Sequence, residues 1–357
     1  MEQKKHELGL LDLMGRPAFC VADGKLIQVN AAAADFGLAP GMELAPLLLT
    51  GSEEYADFQD GCLYLTLTLD GGRLGASVTR LADYDVFCLE ELTDSRELRA
   101  MALAARELRA PLSTVMVTAQ QLFPVSGLED APDTRRQVAQ INRGLYQILR
   151  VIGNMSDAGQ AATVSSRMES VNVAAVFQEV FDKAASLAEH TEVRLCYQGY
   201  PQPIFCQADR ESLERAALNM ISNAMKFSAP GGTIQASLTR RGGKLYLSVK
   251  DSGAGIPNSI RGDVFTRYQR QCGLEDHRFG IGLGMVLIRA AAAAHGGAVL
   301  MDQPGDTGTR ITMSMAIRKG NATIHSPVLS MDYGGEMDHA LMELSESLPS
   351  SLYEKGL

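Results

Sequence analysis

The sequence predicts an α+β multidomain protein in three parts: a small mixed module, a helical hairpin and a larger α/β domain. Three observations carry this. Short runs of alternating apolar residues, separated by Gly-containing turns, fill residues 8–92. Two long segments between 95 and 160 repeat apolar residues in steps of three and four. From 168 to 317, strand-like and helix-like patterns alternate. A length of 357 residues suits two or three such units.

In the module, Ala18 to Val21 and Lys25 to Val29 read as strands around an Asp23-Gly24 turn, a hairpin signal. Asn30 then caps an Ala-rich helix. Cys62 to Leu69 alternates: Leu63, Leu65, Leu67 and Leu69 face one way, and Tyr64, Thr66 and Thr68 the other. Strands are expected at Arg73 to Thr79 and Asp85 to Leu89. The hairpin's first helix carries the seam Leu98, Met101, Ala105, Leu108, Leu112, Val115, Ala119 and Leu122. Pro124 and Gly127 break it, and Pro132 opens a second helix with Val138, Ile141, Leu145, Ile148, Ile152 and Met155 on its seam. Two such seams are poorly buried by one hairpin, so a dimeric four-helix bundle is expected. In the third part, strands at Ser170 to Val173 and Val193 to Tyr197 flank a helix over Ala174 to Glu189. A long helix runs from Asp209 to Phe227, a hairpin joins Gly232 to Thr239 with Lys244 to Lys250, a helix covers Gly284 to His295, and Thr309 to Ile317 is a closing strand. Residues 318–357 form a tail in which Met337, Leu341, Leu344 and Leu348 suit one short amphipathic helix. That tail is read equally as mobile or as docked on the α/β domain or a partner.

Bulk properties narrow the function. Hydrophobic residues make up 46% and charged residues 21%, as in soluble globular proteins. A net charge of −9 argues against a general nucleic-acid binder. The six cysteines form no CxxC pair and suit incidental thiols in a reducing compartment. No apolar run is long enough to span a bilayer; the richest, Met285 to Ala294, is interrupted by Arg289. The N-terminal MEQKKHELGL has no signal-peptide core, and a cytoplasmic location is expected.

Three segments carry chemistry. Asn219 and Asn223 share a helix face, with Lys226 and Phe227 at the same helix end. A carboxamide oxygen is a hard ligand suited to Mg²⁺, and the lysine suits phosphates. A solvated polar helix face accounts for the same residues. Asp251-Ser-Gly253-Ala-Gly255-Ile256 follows a strand; the carboxylate can accept a hydrogen bond from an exocyclic amine, and the glycines admit close backbone approach. A common turn also explains it. Gly280-Ile-Gly282-Leu283-Gly284 opens a helix and exposes backbone N–H groups to anions. Alone, this pattern is weak.

In this order and spacing the three resemble the N, G1 and G2 boxes of the histidine-kinase catalytic domain, in the ATPase superfamily shared with gyrase and Hsp90. Phe265 and Tyr268 sit where that family has its F-box aromatics, and Ala294-His295-Gly296-Gly297 and Gly308-Thr309 match the domain's end. The resemblance implies a 168–317 domain binding ATP and Mg²⁺, with Asn223 on the metal and Asp251 on adenine, and a lid over 268–279. The 95–160 hairpin resembles the family's dimerisation and phosphoacceptor domain, whose signature is His-Glu-Leu-Arg-Thr-Pro-Leu. Here the run is Arg106-Glu107-Leu108-Arg109-Ala110-Pro111-Leu112. A guanidinium has no available lone pair, so Arg106 cannot be the phosphoryl acceptor. Glu107 then has no histidine to assist, and Ala110 cannot orient a water. Arg106 as a phosphate contact competes with a solvated arginine. The 8–92 module resembles a PAS sensor domain, on its Pro17–Asn30 hairpin-and-cap pattern and its closing Glu90-Glu-Leu-Thr-Asp94.

The resemblance implies a cytosolic two-component signalling protein that binds ATP but lacks the usual acceptor, working as a homodimer with a response regulator or another histidine kinase. A kinase that phosphorylates a partner protein or subunit in trans is the alternative.

Overall fold

The computed structural model describes residues 11, 15–69, 72–91, 96–122, 132–160, 168–256, 265, 283–305, 307–318 and 339–354. In the N-terminal module, β1 (Ala18–Ala22) and β2 (Lys25–Val29) meet over the Asp23-Gly24 turn, where both residues have positive φ, 51° and 73°. That is the backbone a two-residue hairpin demands. Asn30 caps α1 (Ala31–Ala34): its Oδ1 accepts the N–H of Ala33 at 2.9 Å and of Ala18 at 3.0 Å. A second helix, α2 (Ser52–Asp57), had no counterpart in the sequence pattern. It is followed by β3 (Cys62–Leu69), β4 (Gly72–Arg80) and β5 (Asp85–Glu91) in an antiparallel sheet ordered β2-β1-β5-β4-β3.

The hairpin is α3 (Arg96–Leu122) against α4 (Pro132–Gln160). Its seams are only half covered. Val138, Leu145 and Ile152 are buried, whereas Ile141 and Ile148 on α4 and Leu108 and Val115 on α3 are about half exposed.

The third unit starts with β6 (Glu169–Asn172), α5 (Val173–Ala188) and β7 (Arg194–Gln198). Next come β8 (Phe205–Ala208), which pairs with β6, and the long helix α6 (Arg210–Phe227). The hairpin β9 (Thr233–Arg241) and β10 (Lys244–Lys250), helix α7 (Leu283–Ala294), β11 (Val299–Asp302) and β12 (Arg310–Ala316) complete it. The order is β11-β12-β10-β9-β7, with β7 parallel to β9 and the other pairs antiparallel. Apolar residues of α5, α6 and α7 share one core with the inner face of this sheet. Strands β8 and β11, four residues each, were too short to show a period in the sequence.

The two sheets are one. Strand β3 is the edge of the module, and it pairs antiparallel with β11, Val299 opposite Tyr64 and Met301 opposite Cys62, to give a continuous ten-stranded sheet. This changes the expected two-faced character of β3. Leu63, Leu65 and Leu67 face the module core as the alternation predicts, but Tyr64 and Thr66 are buried as well. Tyr64 is covered by α7: the Arg289 guanidinium lies 4.5 Å from its ring centre and pairs with Glu90 of β5 at 2.6 Å. A second crossing joins Glu54 of α2 to Lys244 Nζ and to Ser314 Oγ, each at 2.6 Å.

The chain's C-terminal part, α8 (His339–Glu343) and a 3-10 turn at Ser350–Tyr353, docks on α4, α5 and α6. Leu344, Leu348 and Tyr353 are fully buried there, so the docked alternative for the tail holds for 339–354. Arg289 is 3% exposed, and an unpaired charge in such a place is expensive. Arg289→Ala is expected to destabilise the chain by about 3 kcal/mol. In hydrogen exchange it should speed the amides of Leu63 and Met301 together, which urea unfolding and mass spectrometry will read.

Candidate functional site

The site is organised by α6. Its first turn is capped by Asp209, whose Oδ1 accepts the N–H of Ser212 at 3.0 Å. The Asp209 N–H in turn donates to His295 Nε2 at 3.0 Å, while His295 Nδ1–H donates to the carbonyl of Ala291 at 2.7 Å. The end of α7 thereby holds the start of α6. At its other end α6 meets the loop after β10. A Cβ on Gly253 would stand 2.2 Å from the carbonyl oxygen of Phe227, so only glycine lets the two backbones touch.

Asp251 is the hub of that loop. It is 7% exposed, and its Oδ1 accepts the N–H of Gly253 at 2.8 Å and of Thr309 at 3.0 Å. The backbone N–H of Asp251 donates to the Thr309 carbonyl, and that of Gly308 to the Gly253 carbonyl. Both side-chain bonds fall on Oδ1, which leaves Oδ2 to accept one more donor. Burial pushes the carboxyl above its ordinary range, against the pull of those two N–H donors.

Asn219 is buried at 1% exposure. Its Nδ2 donates to the Arg215 carbonyl, and its Oδ1 has no hydrogen-bond partner among the described residues. A Cβ on Gly284, at the start of α7, would stand 2.6 Å from that oxygen. Asn219 therefore joins the N-box helix to the glycine-rich helix start. Asn223 is half-buried one turn further on. Lys226 pairs with Glu346 of the C-terminal segment at 3.1 Å. Phe227 is 38% exposed at the helix end; Gly255 and Ile256 continue the Asp251 loop and are half-buried.

Asn219, Asn223, Lys226, Phe227, Asp251, Gly253, Thr309 and Gly284 thus come together from four distant stretches of chain. Leu283 is buried beside Ala158 and Met155 of α4, so the hairpin rests on the first turn of α7. Phe265 is turned elsewhere: its ring lies 5.8 Å from Tyr64, and its carbonyl accepts from Arg289. Tyr268, Gly280 and Gly282 lie outside the described residues. Arg106 and Glu107 are exposed on α3.

Two residues that the motifs did not flag belong here. Arg150 of α4 reaches Ser222 Oγ on α6 at 3.0 Å, Glu343 at 3.2 Å and Glu346 at 3.1 Å. Arg215 pairs with Asp157 of α4. For Arg150 the available signal was a charged residue between Leu149 and Ile152, inside an apolar stripe.

No metal cluster of three or more His, Cys, Asp or Glu side chains occurs among the described residues. The donors present do fit Mg-nucleotide: an amide oxygen at Asn223, a lysine one turn away, a carboxylate with a spare oxygen, and glycines that keep the walls close.

Residues 208–319 match the family described as Histidine kinase-, DNA gyrase B-, and HSP90-like ATPase. Sensor protein DivL of Caulobacter vibrioides is 26% identical over 241 residues, covering 61% of this chain and 30% of that protein. Sensor-like histidine kinase SenX3 of Mycolicibacterium smegmatis is 27% identical over 220 residues, covering 60% of this chain and 56% of that one. The chain thus spans about a third to a half of the length of these relatives. Full-length ShkA, solved in complex with AMPPNP, shares the fold at a TM-score of 0.50 and 20% identity, over 62% of this chain and 46% of that one.

Burial lowers the pKa of His295, so its neutral form is the one that fits the fold. The stability it contributes is present above the unfolded value near 6.5 and is lost as pH falls through the lower folded value. Thermal unfolding is expected to show a loss as pH falls below about 6.5 that shrinks in His295→Gln. That variant should also cost about 1–3 kcal/mol at pH 7.

Residues 208–319 thus form an ATPase domain of the type shared by histidine kinases, DNA gyrase B and HSP90, and the chain is similar to sensor histidine kinases.

Proposed function

We propose that this chain is a histidine-kinase-like two-component signalling protein that binds ATP with Mg²⁺ and does not autophosphorylate in the conventional way. The observation that carries the nucleotide reading is the buried Asp251, fixed through Oδ1 by two backbone N–H groups and left with Oδ2 to accept from the exocyclic amine of adenine. Asn223 supplies the metal's amide oxygen, and Lys226 a positive charge for the phosphates. Gly284, in the first turn of α7, keeps that helix start open to an anion. Mg²⁺ held there by Asn223 would supply charge neutralisation for the phosphates.

The missing acceptor rests on chemistry. Arg106 stands on the exposed face of α3 where the family's histidine would stand. Its guanidinium stays protonated and has no lone pair to attack phosphorus. Glu107 beside it has no proton to manage, and Ala110 carries no group to hold an attacking water. The protein then acts through nucleotide-dependent conformation, as a scaffold or inhibitor that docks a response regulator or another kinase. Residues 8–92 serve as a PAS-like sensor module, and the protein works in the cytoplasm; no helix among the described residues is long and apolar enough to cross a membrane.

The half-exposed stripe of Leu108, Val115, Ile141 and Ile148 suits a second copy of the hairpin, closing a four-helix bundle. Paired glutamates at 141 and 148 (Ile141→Glu with Ile148→Glu) are expected to give a monomer by light scattering, with the far-ultraviolet spectrum retained.

Transfer of labelled γ-phosphate from Mg-ATP tests the central claim. The wild type should bind ATP and stay unlabelled, and Arg106→His should acquire acid-labile phosphate. Asn223→Ala should weaken Mg-dependent binding at least tenfold. Label on the wild type that Asn223→Ala removes would show that another side chain carries the phosphate, and the missing-acceptor claim would fall.

A further inference from the structure

The C-terminal segment makes contacts that a passive tail has no need for. Between Ala340 and Tyr353 it seats four apolar or aromatic side chains at 3% exposure or less: Ala340, Leu344, Leu348 and Tyr353. Tyr353 packs edge-on against Tyr146 of α4 at 5.0 Å, and its carbonyl accepts from Asn142 Nδ2 at 2.9 Å. Arg143 donates to the carbonyls of Ser345 and Glu346, and Gln147 to that of Ser345. These bonds hold one side chain in a particular place. The Glu346 carboxylate lies between Lys226 Nζ and Arg150 Nη1, each at 3.1 Å. Beside it Glu343, buried at 2% exposure, takes the same arginine's Nε at 3.2 Å. Burial alone would raise the Glu346 carboxyl, but Arg150 and Lys226 outweigh it and hold the group below its ordinary range. It is therefore an anion wherever the protein is folded near neutral pH.

Lys226 lies three residues beyond Asn223, and Phe227 touches the Asp251 loop through Gly253. An oxyanion already hydrogen-bonded to this lysine and ion-paired with an arginine from the neighbouring helix occupies a place that suits a phosphate oxygen.

We infer that residues 339–353 form an autoinhibitory plug: Glu346 stands in for a nucleotide phosphate oxygen on Lys226 and Arg150, so the docked segment and a bound triphosphate compete. The inference rests on the nucleotide reading above. Arg150 belongs to the hairpin, so release of the plug frees a hairpin cation and a catalytic-domain cation together. Entry of a triphosphate replaces one anion by another between the same two groups. The segment's remaining bonds to α4 are then the resistance that nucleotide must overcome, and a partner that captures residues 339–353 would raise nucleotide affinity.

The test uses the full chain and AMPPNP with Mg²⁺. Calorimetric titration compares the wild type with Glu346→Gln and with Asn142→Ala. The second loosens the segment far from Lys226. Hydrogen exchange of residues 339–353 is followed with and without the nucleotide. Glu346→Gln is expected to bind about tenfold more tightly, which is about 1.4 kcal/mol. Asn142→Ala should bind more tightly by a smaller factor, and nucleotide should speed exchange of the segment. Equal affinity in all three proteins, with exchange unchanged on binding, would mean that the segment and the nucleotide coexist, and the plug is wrong while the nucleotide reading stands. No binding by any of the three overturns the nucleotide reading and the plug with it.

Discussion

The pairing of β3 with β11 sets the terms for the rest of the molecule. An edge strand carries a row of unpaired N–H and C=O groups, and a β-protein must cover, charge or pair it. Here the edge of the N-terminal module is paired with the edge of the ATPase-type sheet. The ladder places Tyr64 under α7, and α7 in consequence brings Arg289 into the join. A guanidinium there is tolerable only with a carboxylate and a carbonyl at hand, which Glu90 and Phe265 supply. Each half of the join requires the other. The N-terminal module and α7 are consequently packed against each other through this join, independently of the hairpin.

The hairpin makes its own, separate contact. Arg215, Ser222 and Lys226 lie along one stripe of α6, and each is engaged from outside the domain: by Asp157 and Arg150 of α4, and by Glu346. The face of α6 that carries Asn223 is thus bordered by polar contacts that depend on where α4 sits. The seam residues Leu108, Val115, Ile141 and Ile148 of the same helices are about half exposed and take no part in this contact.

Much of this was legible in the amino-acid sequence, because it depends on local rules. The Asp23-Gly24 turn needs positive φ at both residues, Asn30 is a helix cap by its chemistry, and the long helices declare themselves by their period. The asparagine-bearing helix and the two glycine-containing motifs, in their order, point to the ATPase-type domain from sequence, since close backbone approach leaves few choices of residue. Other features were decided by tertiary structure alone. Tyr64 and Thr66 alternate with leucines like residues on a solvent face, yet both are buried, because nothing in a strand's own pattern states what will lie on its second face. Arg289 interrupts an apolar helix and looks like a break in a core segment until Glu90 appears, two hundred residues earlier in the chain. Strands β8 and β11 are shorter than any reliable period. The bond between Glu346 and Lys226 spans 120 residues and joins a tail to a motif. Local spacing determines which groups a helix or turn can offer; only the folded chain decides which distant charge each of them meets, because that choice is made by burial and by the need to pair whatever burial strands.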